Sequence, residues 1–200
     1  MGSGGGICFP VCPAVVVNAG IANACTGAEG YGYCLDTAKA AAEALQIPES
    51  AVLVASTGVI GMQLPMDRIT AGIKAMAPGL SGTLEGGTAA SKAIMTTDTV
   101  NKEVAATFTA GGKTVTIGGM CKGSGMIHPN MCTMLSFVTT DLAISKELLT
   151  EALREDIKDT YNMISVDGDN FLPTIPFFCW PTAWRGILKS RRKMKITGNS

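Results

Sequence analysis

The stretch of this sequence best equipped for chemistry runs from Lys122 to Asp141, KGSGMIHPNMCTMLSFVTTD. It opens with a lysine in a glycine-flexible loop, passes the chain's only histidine, His128, and delivers Cys132–Thr133 into the apolar run Met134 to Val138. A peptide bond at the mouth of a β-like run, behind a Pro129-Asn130 turn, is held more rigidly than one in a floppy loop. If that bond is cut, Thr133 gains a free α-amine beside its own hydroxyl, so one residue supplies both nucleophile and base. The plainer alternative is a threonine in a core strand. A second pair, Thr57-Gly58, ends the apolar run Ala51 to Ala55. A hydroxyl and a glycine N–H at a strand end can converge on one oxygen, as an oxyanion hole requires, although the same pair also serves as an ordinary exit into a turn. Lys122, taken alone, reads as a solvated loop cation, and Thr97 in AIMTTDT stands among similar neighbours, Thr96 and Thr99.

Strands and helices must alternate to position these groups. Val15 to Val17 reads as a short buried strand, followed by the small-residue loop Asn18 to Gly27. Asp36 is expected to cap a helix over 37–46 with Ala38, Ala41, Ala42 and Leu45 inward, ended by Pro48. Pro65 starts a second helix whose inward face is Ile69, Ile73 and Met76, stopped by Pro78-Gly79. Residues 104–110 and 113–117 alternate around Gly111-Gly112, a hairpin signal. Ser145 caps an amphipathic helix with Leu148, Leu149, Ala152, Leu153 and Ile157 inward. The interleaving, without internal repeat, predicts an α/β (mixed α+β) class with helices packed on a mixed sheet.

Two look-alikes fail. Gly112-Lys113-Thr114 resembles the end of a phosphate loop, but the glycine required five residues earlier is Thr107 and the lysine opens a strand. Asp167-Gly168-Asp169 lacks the spaced oxygen ligands of a calcium loop.

Two hundred residues, 46% of them hydrophobic and 16% charged, suit one globular domain. The formal charge of zero hides an asymmetry: all 16 acidic residues lie between Glu29 and Asp169, while Arg185, Lys189, Arg191, Arg192, Lys193 and Lys195 follow with no acid among them. The seven cysteines form no C-x-x-C pair and no zinc pattern, and read as reduced thiols of a cytoplasmic protein; no metal is expected. No signal peptide is expected, since residues 1–13 lack a basic n-region and a long apolar h-region, and no apolar run in the sequence reaches membrane-spanning length. Three segments are expected: a foreign-looking leader at 1–13, a body at 14–170, and a Pro/aromatic, then basic, tail at 171–200. Prolines interrupt any helix in the tail, so it is expected to form no regular element of the fold and to contact neither nucleic acid nor membrane.

The string GSGMIHPNM-x-TML and the motif Ser56 to Gly61, STGVIG, resemble the ornithine acetyltransferase (bifunctional glutamate N-acetyltransferase) family of arginine biosynthesis, as does VVNAGIANACTG. The family usually reads Ala-Thr-Met-Leu where this chain has Cys132-Thr133-Met134-Leu135. The resemblance implies a self-processing N-terminal-threonine acyltransferase fold, incomplete here, cut between Cys132 and Thr133. Thr133 would be the nucleophile, Thr57 and Gly58 the oxyanion donors, and Thr97, Lys122 and Thr133 the substrate contacts. Acetyl would pass from N-acetylornithine to glutamate through an acetyl-threonine, with no bound cofactor and with acetyl-CoA as a further donor in some members. The implied partners are the enzyme's own second chain after cleavage and further copies in a homo-oligomer.

The resemblance covers about Val15 to Asn170, the middle of the family's sequence. The break at Asn170, where FLPTIPFFCW begins, reads as a frame shift or a misjoined frame. Two other readings follow: an inactive fragment of that enzyme, and an N-terminal-threonine amidohydrolase using water as acceptor. Self-cleavage is expected to be slow or absent in this chain and competent in an intact relative carrying the same Cys-Thr pair.

Overall fold

The computed structural model describes residues 14–125, 127–128, 131–132, 134–166 and 177–181. Its first unit is a parallel pair, β1 (Ala14–Ile21) and β2 (Val52–Val59), in register from Ala14 opposite Val52 to Ile21 opposite Val59. Helix α1 (Gly27–Leu45) makes the crossover between them, and α2 (Met66–Met76) packs beside it. The continuous apolar runs of β1 and β2 have a physical reason: both faces are covered. Ala14, Val16, Val52 and Val54 meet Ala40, Ala41, Ala42 and Ile73 of the helices. Val15, Val17 and Ala55, on the opposite face, meet Leu135 and Phe137.

Those last two residues belong to a four-stranded mixed sheet, ordered β3 (Lys102–Ala110), β4 (Lys113–Lys122), β7 (Leu135–Thr140) and β8 (Phe177–Pro181). The layers therefore run helix, two-stranded sheet, mixed sheet, which is the class the sequence predicts. The β3–β4 hairpin turns at Gly111-Gly112, both at positive φ (58° and 76°), as a two-residue primed turn needs. Between β4 and β7 a short ribbon pairs β5 (Ile127–His128) with β6 (Met131–Cys132). Helices α3 (Leu84–Ala93) and α4 (Lys146–Asp159) are each capped by a side chain: Thr83 accepts from the Gly86 amide and Ser145 from the Leu148 amide.

Several expectations change. Helix α1 starts ten residues ahead of 37, so Asp36 lies inside it and does not cap it. Of the glycines around the start of α1, Gly30 is there for packing. A Cβ on Gly30 would stand 1.9 Å from Thr26 Oγ1, in the space where Asn23 Nδ2 donates to the Gly30 carbonyl at 2.7 Å. Met76 is exposed, because the chain turns away in a 3-10 turn at Ala77–Gly79, and Ala152 is exposed on α4. Beyond residue 170 the expected absence of regular structure gives way at Phe177–Pro181, which runs parallel to β7 from Ser136 opposite Phe177. An aromatic, β-favouring run has reason to pair with an open sheet edge. Asp167 to Asp169 and residues 1–13 lie outside the described residues.

Candidate active site

Gly58 shows how the site's floor is made. It sits opposite Gly20 in the β1–β2 ladder, and a Cβ there would lie 2.2 Å from the Gly20 carbonyl carbon. Its φ of 129° is likewise one that side-chain-bearing residues rarely adopt. The two strands therefore close to contact distance just as they end. Beyond them the chain is tied back by Ala22 N–H to Val59 O at 2.8 Å and Gly61 N–H to Ala24 O at 3.0 Å. The loop 23–26 holds its shape through Thr26 Oγ1 donating to Asn23 Oδ1 at 2.6 Å.

A cavity of about 870 Å³ opens above this floor. Thr57, Gly58, Asn23, Thr97, Lys122 and Ser124 are among the residues lining it. The structure thus brings Thr57, Gly58, Thr97 and Lys122, distant in sequence, to one space. Of the threonines around Thr97, Thr96 also lines the cavity and Thr99 does not. Thr133, Pro129 and Asn130 lie outside the described residues, as do the side chains of His128 and Cys132. The residues just after Thr133 are described: Met134 is buried, and Leu135 lines the cavity and sits opposite Lys122 in the β4–β7 ladder.

Lys122 is no solvated loop cation. It ends β4, is 5% exposed, and donates from Nζ to Thr57 Oγ1 at 3.1 Å, itself 6% exposed. Burial pushes its ammonium below the ordinary lysine value; nearby Asp98 works to raise it and Lys102 to lower it. Because an ammonium can only donate, it occupies a lone pair of the Thr57 hydroxyl and leaves that O–H to point elsewhere. A hydroxyl so polarised is a better donor to a developing oxyanion.

Asp98 is the residue the sequence did not single out. Its side chain is fully buried, and it accepts from Lys102 Nζ at 2.5 Å, Gly123 N–H at 2.7 Å and Thr96 N–H at 3.3 Å. Burial alone would raise the carboxyl, but these hydrogen bonds and the Lys102 charge bring it below the usual carboxylate value. The available signal was an acid among three threonines with a lysine four residues on. Thr97 Oγ1 and Ser124 Oγ are 2.8 Å apart on the same rim. Among the described residues no three His, Cys, Asp or Glu side chains cluster as a metal site would need, Cys25, Cys34 and Cys121 are free thiols, and no helix is long and apolar enough to cross a membrane.

Comparison with known proteins bears on this arrangement. The model of the ArgJ family matches residues 8–171, from ahead of β1 to beyond α4. The chain is 60% identical over 156 residues to the arginine biosynthesis bifunctional protein ArgJ of Symbiobacterium thermophilum and 54% identical over 156 residues to that of Caldanaerobacter subterraneus. In each case the match takes in 78% of this chain and 38% of the relative, so the chain spans about two-fifths of the length of the curated relatives it matches. Two crystal structures share the fold. An ArgJ protein from Bacillus halodurans is 51% identical, with a TM-score of 0.53 over 58% of this chain and 60% of that one. An ornithine acetyltransferase from Mycobacterium tuberculosis, complexed with ornithine, is 40% identical, with a TM-score of 0.51 over 57% and 61%. A match that spans β1, every segment lining the cavity and α4 leaves one conclusion: the chain belongs to the ArgJ family.

Proposed function

We propose that this chain carries the oxyanion and substrate-positioning half of an N-terminal-nucleophile acyltransferase. That enzyme moves acetyl from N-acetylornithine to glutamate in the cytoplasm. The observation that carries the reading is the buried contact between Lys122 Nζ and Thr57 Oγ1, at the lip of a cavity that also takes in Gly58 and Thr97.

In this mechanism the Thr133 hydroxyl first attacks the Cys132 carbonyl. The Cys132–Thr133 C–N bond breaks, which frees the Thr133 amine and leaves Cys132 as an ester on the Thr133 oxygen, and water then hydrolyses that ester to a Cys132 carboxylate and the free hydroxyl. The amine then takes the hydroxyl proton as Thr133 attacks the acetyl carbonyl of N-acetylornithine. The tetrahedral oxyanion accepts from the Thr57 hydroxyl, held outward by Lys122, and from Gly58 N–H. Ornithine leaves with a proton, and glutamate takes acetyl from Thr133 in the second half-reaction. The polar lining is hydroxyl-rich and Lys122 is the one charged side chain among its described residues, which suits the carboxylate of an amino acid. The ornithine in the Mycobacterium tuberculosis relative supports an amino-acid ligand of this kind. Acetyl-CoA as an alternative donor, a second chain produced by cleavage and a homo-oligomer belong to the same proposal.

The test is a chimera in which residues 14–166 replace the matching stretch of the Symbiobacterium thermophilum relative. It should acetylate glutamate from N-acetylornithine, and faster than it releases acetate to water. Thr57→Ala should cost about 3 kcal/mol of transition-state stabilisation, roughly a hundredfold in kcat, with little change in stability. Undiminished turnover in Thr57→Ala would remove the hydroxyl from the mechanism. Equal transfer to water would favour an amidohydrolase.

A further inference from the structure

We infer that Asp98 is a positioning residue of this cavity: its buried carboxylate ties the backbone beside Lys122 to the backbone beside Thr97 and so fixes the spacing of two groups that face one ligand. The identity of that ligand rests on the reading above; the tie itself does not.

The segments 95–98 and 122–124 share no strand ladder, since β4 pairs with β3 and β7. Side chains join them. One carboxylate takes the amide of Gly123, next in chain to Lys122, and the amide of Thr96, next to Thr97. The Thr97–Ser124 hydroxyl contact continues the junction toward solvent. All three groups that bond the carboxylate are donors, so an amide cannot replace it: its NH2 would have to face a backbone N–H or the Lys102 ammonium. The carboxylate also offsets the cost of burying the Lys122 ammonium. From β3 the Lys102 charge opposes it, while β2 and β7 contribute no ionisable side chain. Cys121, the neighbour of Lys122 in β4, and Cys34, on the cavity wall, are both held toward the neutral thiol by burial. Asp98 therefore has two effects on Lys122, one on where it stands and one on whether it is charged.

Opposite signs separate this from a merely structural role. In the 200-residue chain with labelled lysines, NMR titration follows Lys122, assigned by its loss in Lys122→Arg. Asp98→Asn should move the Lys122 midpoint down, and Lys102→Met should move it up. Hydrogen exchange should quicken at least tenfold at Gly123 and Thr96 in Asp98→Asn, with Ala41 in the helical core unchanged. Asp98→Glu should restore the charge effect and leave the amides only partly protected. A Lys122 midpoint that ignores Asp98→Asn, or Ala41 opening together with Gly123, overturns the proposal. Should Asp98→Asn not fold, Asp98→Glu decides, and Gly123 and Thr96 amides as protected in it as in the wild type count against the tie. N-acetylornithine, added last, separates the two claims. If the wild-type chain ignores it while the variants behave as stated, the acetyl-transfer reading loses support and the positioning role stands.

Discussion

The cavity-bearing body and the helix that follows it are held by different means. In the body, α1, α2 and two sheets bury a continuous apolar interior from Ala14 to Phe137, and Ala41 is 1% exposed. Helix α4 contains no fully buried residue; Leu148, Leu149, Leu153 and Ile157 all stay partly exposed. It is carried instead by its Ser145 cap and by the segment after it. There Tyr161 Oη meets Ser136 Oγ at 2.8 Å, and Val166 exchanges two backbone hydrogen bonds with Ile127. One region is stable through close packing, and it buries Thr57, Asp98 and Lys122 at or beside the cavity. The other is fastened by a few directional contacts, and local stability should fall accordingly.

The largest expected effect comes from forcing the body's tightest contact. Gly58→Ala places a methyl against the Gly20 backbone and a side chain at φ 129°. Strain of about 1–3 kcal/mol, plus the overlap, should bring the total near 4 kcal/mol, read as a lowered urea midpoint. A loss under about 1 kcal/mol would mean that β1 and β2 do not close here.

Next comes a matched pair across the two regions. Ile73→Ala should cost about 2–5 kcal/mol, because its side chain fills the junction of α1, α2, β1 and β2. Leu153→Ala on α4 should cost less, about 1 kcal/mol, since Leu153 stays partly exposed and no residue of α4 is fully buried. Equal losses would erase the distinction drawn above.

The smallest effect is the most diagnostic. Lys122→Met should change stability by less than about 1 kcal/mol, or raise it, because a buried charge replaced by an apolar side chain of similar length is often neutral or favourable. The sign with pH follows from a lysine held below its ordinary value. Between the folded and unfolded pKa the unfolded chain binds more protons, so the cost of burying the charge is present below that window and fades as pH rises through it. Wild type should therefore gain on Lys122→Met toward high pH, and the reverse trend in paired unfolding curves would contradict the burial.

What the sequence made legible tracks how local each signal is. The hairpin at Gly111-Gly112, the Ser145 cap and the class of the fold depend on a few adjacent residues, and they appear as expected. The start of α1 does not, because Gly27, Gly30 and Gly32 mimic a loop and only the packed Asn23–Thr26 turn explains Gly30. Thr57, Gly58, Thr97 and Lys122 were recognisable by motif, and the cavity gathers them. Asp98 was not, since its role exists only once Gly123, from twenty-five residues away, arrives beside it. The same applies to β8: its partner is an edge strand that no local pattern names.

The claim at the centre of this account is that Thr133 is the acylated nucleophile of a site whose oxyanion donors are Thr57 and Gly58. Mass spectrometry of the chimera after brief exposure to N-acetylornithine, without glutamate, measures it most directly. The account predicts a fragment that begins at Thr133 and carries one acetyl group on that residue. The acetyl should vanish on adding glutamate and form far more slowly in Thr57→Ala. A Thr133→Ala chimera that still splits after Cys132, or still acetylates glutamate, would contradict it.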